Sequence, residues 1–291
     1  MLLMFGSGSF MLVMLQGANW PIWFNITLVV VAFLAIVALV IQEKRAPEPI
    51  LSIQLARNPM IMIGVTAGAI LGAELMVILS FMPAHFQGVL GASANAVAIA
   101  LVAMSLTWSA CAAIGGRLMI LTSYRTNVIT GATFLIMGCT TLSVLPLGND
   151  IFWLTLAATL VGAGMGFSHT TYIIAVQSSV DYQQRGIATS TLYFSRMLGQ
   201  AIGAAVFGAI INAGIRAGPP GSPENVESIM DPIKRASIMP DELNEIIKLL
   251  ADSLQNAYVV ALALAFTVLI LATRVARNER PMDYYDSSKP S

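Results

Sequence analysis

Two charged side chains, Glu74 and Arg196, lie deep inside long apolar stretches. Placing a charge in hydrocarbon costs on the order of 2.5–3.5 kcal/mol even on insertion scales, so such a group faces a protein interior or a water-filled cavity and serves transport or gating. Glu74 can take and release a proton if its access to water changes. It can equally stay protonated and hydrogen-bonded across helices, and both readings stand on sequence alone. His169 follows a glycine-rich segment beside Thr170, Thr171 and Tyr172. It is a candidate for substrate or proton contact, or a hydrogen-bonded structural histidine. His85, beside Pro83 at the outer end of a stretch, reads as an interfacial residue. No H-E-x-x-H, G-x-S-x-G or phosphate-binding glycine loop occurs, so the chain offers no enzyme chemistry, no metal site and no cofactor site.

The stretches that carry these residues fill most of the 291 positions. With 57% apolar and 10% charged residues and a mean hydropathy of +0.78, the composition is that of an all-α integral membrane protein. The balanced net charge argues against a nucleic-acid partner. Cys111 and Cys139 sit inside apolar stretches without metal-ligand spacing and read as small buried residues. A window of about 20 residues predicts helices over 1–16, 22–42, 60–83, 96–121, 126–147, 151–176, 187–213 and 255–273. The first is short and lacks the basic leader of a signal peptide, so it reads as a truncated helix. Seven complete spans are expected.

Basic residues orient them, because Lys and Arg resist translocation. Lys44, Arg45, Arg57, Arg117, Arg125, Arg185, Arg274, Arg277, Arg280 and Lys289 all fall at alternate connections. This predicts a cytoplasmic C-terminus, a cytoplasmic tail over 281–291 and an outer loop over 214–254. Trp20, Trp23 and Trp153 fall at span ends, as headgroup-level anchors do. The linker ending at Arg57-Asn58-Pro59 divides central linker helices (1–55) from a six-helix unit (56–280).

Small residues in that unit are spaced for close helix packing, which in lipid replaces the hydrophobic drive between helices. Gly64, Gly68 and Gly72 form one series, Gly162 and Gly166 another, Gly199 and Gly203 a third. On a helical wheel Glu74 lies about 200° from Gly72, turned toward a polar interior, whereas Arg196 lies about 20° from Gly203 and belongs to the helix interface.

Arg185-Gly186-Ile187-Ala188-Thr189, then Phe194-Ser195-Arg196-Met197-Leu198-Gly199 and Ala201-Ile202-Gly203, resemble a helix near the end of fourteen-span drug:proton antiporters. These form the multidrug-resistance branch of the major facilitator superfamily. Glu43-Lys44-Arg45, Leu55-Ala56-Arg57-Asn58, Gln87-Gly88-Val89-Leu90-Gly91 and Gly162-Ala163-Gly164-Met165-Gly166-Phe167 add to the resemblance, which covers essentially the whole chain. It implies the C-terminal six-helix bundle of the major facilitator fold, preceded by one complete and one truncated linker helix. The implied function is half of a secondary active transporter: proton-coupled efflux of drug-like or amphipathic small molecules, incomplete without an N-terminal half. A non-transporting membrane receptor or scaffold is the alternative, and it leaves Glu74 unused.

The resemblance also assigns roles. Glu74 and His169 become proton-coupling or substrate residues. Arg196, Arg185, Asp181, Arg117, Arg125, Gly199 and Gly203 become gating or helix-interface residues. Gly116-Arg117-Leu118 with Arg125 is a degenerate copy of the family's cytoplasmic gate, since Ile120 and Leu121 replace its acid and base. Phe81, Phe86, Phe167 and Tyr172 are cavity-lining candidates, or simply core. The implied partners are the bilayer, a small-molecule substrate and protons, with the protein as a multi-pass component of the plasma membrane.

Overall fold

A computed structural model describes residues 58–144, 151–219, 226, 228–229 and 232–275. The expected spans at 1–16 and 22–42, the linker to residue 57 and the tail from 281 lie outside the described residues. Among the described residues, six helices are long and apolar enough to cross a membrane. They are α1 (Pro59–Ala84), α2 (Ala94–Leu121), α3 (Tyr124–Val144), α4 (Ile151–Ser178), α5 (Arg185–Arg216) and α6 (Pro240–Arg274). Their order and ends follow the apolar windows closely through α5. No strand occurs among the described residues.

Local chemistry sets the helix ends. Asn58 caps α1 by accepting a hydrogen bond from the Met60 N–H at 2.9 Å, with Pro59 in the first turn, where its missing N–H costs nothing. The same side chain donates to the Ser179 carbonyl at 2.9 Å, tying the start of α1 to the end of α4. At its far end α1 runs through Pro83 into a π turn, His85–Val89. Gly91, at φ +62°, then reverses the chain toward α2, a backbone conformation open to glycine at no steric cost.

The helices pair as two close couples and a bridge. α1 packs most extensively on α5, α2 on α4, and α3 bridges α4 and α6. Each couple depends on missing side chains. Gly72 lies against the Arg196 carbonyl, Gly199 against the backbone of Ala69, and Gly203 against Ala73, so α1 and α5 meet backbone to backbone. Gly162 and Gly166 do the same against Met104 and Trp108 of α2. Hydrogen bonds between elements supplement the contact. Ser195 Oγ donates to the Val65 carbonyl, and Asn127 Nδ2 donates to the Gly115 carbonyl at 2.7 Å. Tyr124 OH donates to Ser178 Oγ at 3.0 Å, and Gln255 Nε2 to the Ser143 carbonyl at 3.0 Å. Cys111 and Cys139 are free thiols.

The outer loop expected over 214–254 is corrected by α6. That helix starts at Pro240, fifteen residues before the apolar window, with Asp241 and Glu242 in its first turn, where acids complement the helix dipole. At 1.5 Å per residue it is about 52 Å long, well beyond the ~30 Å hydrocarbon layer. Its extra turns bury Ile246, Leu250 and Leu254 while Asp241, Glu245 and Asp252 stay exposed. Amphipathic spacing held this signal, and a hydropathy average hides it. Before α6, a helical turn at Pro232–Arg235 aims Arg235 back at the α1–α2 turn, donating to the carbonyls of Gly88 at 2.6 Å and Gln87 at 3.0 Å.

If backbone contact at the α1–α5 seam holds the bundle, Gly199→Ala should lower thermal stability in detergent by about 1–3 kcal/mol, because the added methyl meets the Ala69 backbone. Gly208→Ala on the same helix meets nothing within 4 Å. It should be neutral or gain up to about 1 kcal/mol. Equal melting shifts for the two variants would refute the packing argument.

Candidate functional site

The residue that organises the site is Arg196, about a third of the way along α5 from its Arg185 end. Its backbone lies in the seam with α1, as the glycine spacing predicts, but its side chain leaves the seam. Nη1 reaches α4 and meets His169 Nε2 at 2.6 Å. A guanidinium has only donors, so His169 Nε2 accepts and the ring's proton sits on Nδ1. Sequence reasoning placed Arg196 and His169 in separate roles, and the fold makes them a pair.

Aromatic rings surround that pair. Trp108 of α2 meets the His169 ring edge-on at 6.1 Å, and Tyr193 does so at 5.7 Å. The Arg196 guanidinium lies 5.5 Å from the Tyr193 ring centre, within cation–π range. Neither Trp108 nor Tyr193 stood out in the sequence. The available signal was the α5 stripe Arg185, Thr189, Tyr193, Arg196, whose spacing of four, four and three residues puts all of them on one helix face. Tyr193 is 39% exposed, whereas His169 is buried beneath it. α2, α4 and α5 thus build one wall with a cation, an imidazole and two rings.

Glu74 lies elsewhere. It is 2% exposed, and neither carboxyl oxygen has a hydrogen-bond partner. Leu71, Leu75 and Ile78 flank it on the buried face of α1. The carboxyl group therefore points into the bundle rather than onto the wall with Arg196. The expectation of a polar interior around it is corrected: no donor among the described residues reaches it.

His85 also departs from its expected interfacial place. It is buried in the π turn and stacks on Tyr258 of α6, ring centres 5.9 Å apart. Phe86, Phe167 and Tyr172 are core residues rather than cavity lining. Phe86 is wholly buried, Phe167 stacks on Phe134 at 6.0 Å, and the Tyr172 hydroxyl is buried without a partner. Phe81 is partly buried against the same core. Phenyl groups facing inward from a helix packed on both sides have no open wall to line.

The charged residues assigned to gating gather at the end of the bundle where α2 ends and α5 begins. Arg117 is exposed, Arg125 half-buried, Asp181 exposed at the head of a one-turn helix, and Arg185 lies 5.7 Å from the Tyr182 ring centre. Gly199 and Gly203 sit in the α1–α5 seam. No group of His, Cys, Asp and Glu among the described residues is arranged to hold a metal ion.

Residues 1–204 match the Major Facilitator Superfamily. The chain is 27% identical over 184 residues to the multidrug transporter protein MdtP of Bacillus subtilis, an alignment covering 63% of this chain and 34% of that protein. Multidrug resistance protein 3 of Bacillus subtilis is 26% identical over 57% of this chain and 33% of its own length. The aspyridones efflux protein of Neocamarosporium betae is 33% identical over 44% of this chain and 23% of its own. The matched region thus spans between about a quarter and about a third of the length of these relatives.

The pairing of Arg196 with an acceptor nitrogen makes a stability prediction. His169→Leu leaves a half-buried guanidinium without its acceptor and should cost about 1–3 kcal/mol, read as a lower melting temperature in detergent. His169→Gln keeps an acceptor oxygen and should recover most of that loss. A leucine variant as stable as the parent would show that the 2.6 Å contact contributes nothing.

Proposed function

This chain belongs to the Major Facilitator Superfamily, and on that premise we propose that it is the second six-helix bundle of a fourteen-span secondary transporter exporting drug-like amphipathic molecules in exchange for protons. Transporters of this kind bind substrate near the midplane, between two bundles that rock against each other. The observation that carries the reading is the Arg196–His169 pair with Tyr193 and Trp108, a polar and aromatic patch on one wall of a bundle otherwise apolar. An N-terminal bundle would supply the opposite wall.

Proton exchange has two candidate groups with different geometry. His169 Nε2 holds Arg196 only while it carries a lone pair, so a proton arriving there must displace the guanidinium. Protonation and the position of Arg196 are then one event. No hydrogen-bond partner among the described residues reaches the Glu74 carboxyl group, so its protonation would follow access to water as the bundles move. Arg117, Arg125, Arg185 and Asp181, at the end of the bundle where α2 ends and α5 begins, are the candidates for a cytoplasmic gate in this reading. The relatives named as multidrug or efflux proteins support this reading.

The purified chain in liposomes should insert without catalysing gradient-driven transport, because one wall does not make an alternating cavity. In the two-bundle transporter Glu74→Gln should abolish efflux driven by a pH gradient while leaving membrane levels unchanged, since the amide keeps the shape but cannot titrate. Proton-driven transport by the chain alone would overturn the half-transporter reading. A glutamine variant that pumps as well as the parent would remove Glu74 from the coupling.

The orientation is tested separately. With Cys111 and Cys139 replaced by serine, a cysteine at the exposed Ser237 should react with a membrane-impermeant maleimide in intact cells. Labelling only after lysis would invert the topology.

A further inference from the structure

The last turns of α1 are built differently from the rest of the helix. Pro83 has no N–H, so the Leu79 carbonyl loses its helical donor, and the chain then widens into the π turn His85–Val89. The carbonyls of that turn are satisfied in two ways. The His85 carbonyl accepts from the Leu90 N–H at 3.1 Å and that of Phe86 from the Ala92 N–H at 2.8 Å. The next two, of Gln87 and Gly88, are taken by Arg235 Nη1 at 3.0 and 2.6 Å, across 148 and 147 positions of sequence. Gly91 makes the seat for this guanidinium. A Cβ there would come within 3.2 Å of Arg235 Nη2 and 3.3 Å of Cζ, so a side chain at that position pushes the arginine off the turn. The carbonyl end of a helix is also where the dipole favours a cation.

A second attachment comes from α6 itself, where Tyr258 stacks on His85. Met82, Phe86 and Tyr258 are wholly buried behind the turn. At the stack lie two polar atoms without partners, His85 Nδ1 and Tyr258 OH. Glu74 lies eleven residues before His85, about 20° away around α1 and about 16 Å deeper. Ile78 and Met82, both buried, lie between them. The end of α1 thus has two weakened turns, holds from the α6 side, and unpartnered polar groups behind it.

We propose that residues 83–91 form a hinged lid latched by Arg235, and that its release lets water past His85 and Tyr258 toward Glu74. The inference rests on reading Glu74 as a proton-coupling group, which needs access to water, and it assigns that access to the end of the bundle at the α1–α2 turn. Arg235 stands five residues before α6. A change in the tilt of α6 against α1 therefore moves latch and turn apart.

The test is cysteine reactivity in the full chain reconstituted in phosphatidylcholine nanodiscs, with Cys111 and Cys139 replaced by serine and one reporter at a time: Met82→Cys, Ile78→Cys or Val128→Cys. The probe is a methanethiosulfonate carrying a quaternary ammonium group, which reacts where water reaches. Arg235→Gln should speed labelling of the Met82→Cys and Ile78→Cys chains roughly ten- to a hundredfold, the range for lost hydrogen bonds to a charged group. Val128, wholly buried near the start of α3, reports on the rest of the core, and its variant should label at the same slow rate with either residue at 235. Arg235→Lys keeps a charged donor, so it should give intermediate rates, and it covers the case in which the glutamine variant does not fold. An unchanged rate at Met82→Cys or Ile78→Cys overturns the proposal. So does an equal rise at Val128→Cys, which marks general loosening. Labelling needs no transport, so this inference and the coupling role of Glu74 fail separately. Arg235-dependent labelling with efflux indifferent to Glu74→Gln keeps the lid and removes Glu74 from the coupling. Efflux that needs Glu74, with labelling indifferent to Arg235, does the reverse.

Discussion

The contact of α1 with α5 at Gly72, Gly199 and Gly203 is the constraint from which the remaining arrangement follows. Lipid tails are as apolar as the side chains they meet, so helices in a bilayer gain little by hiding hydrophobic surface from each other. Close backbone approach supplies dispersion contact instead, and only glycine lets a carbonyl such as that of Arg196 lie directly on the facing helix. Once α1 and α5 are fixed in register, the direction in which each polar side chain leaves its helix is fixed too. The α2–α4 couple, closed by Gly162 and Gly166, repeats the device on the other side and sets His169 at the level Arg196 can reach.

That register separates two populations of polar groups. On the wall formed by α2, α4 and α5, Arg196, His169, Tyr193 and Trp108 meet through one hydrogen bond and several ring contacts, with Arg196 Nε left over. Inside the bundle, Glu74, the Tyr172 and Tyr258 hydroxyls and His85 Nδ1 are buried without partners. Each such group costs on the order of 1–3 kcal/mol of desolvation, so their presence argues for states in which they meet water or one another. A bundle whose helices rock along glycine seams provides such states without breaking its core.

The end of the bundle at the α1–α2 turn follows a different logic. The π turn His85–Val89 leaves its last carbonyls without helical partners, and Arg235 donates to two of them from the segment that precedes α6. Ile229, 1% exposed, packs into the core from the same region. The extra turns of α6 and this arginine hold the segment before α6 against the bundle, so it is linked to the α1–α2 turn by polar contacts as well as by packing.

The number, order and limits of the spans from α1 to α5 were legible in the sequence because each depends only on a local run of apolar residues and its caps. Gly72, Gly199 and Gly203 were legible as packing residues, since small residues at helical spacing act in one way. Glu74 and Arg196 were visible as costly charges, and only the tertiary structure decided that one faces an interior without donors and the other faces His169. The extra turns of α6 were missed because a helix with one buried face and one acidic face has an ordinary mean hydropathy, and Phe86, Phe167 and Tyr172 because an aromatic ring looks the same in a core and on a wall. Tyr193 and Trp108 carry no mark at all in one dimension. Composition and periodicity determine which segments cross the membrane, since the solvent around each helix selects for that alone. Which side chains meet is set by the mutual rotation and depth of α2, α4 and α5, quantities that arise only when the helices pack.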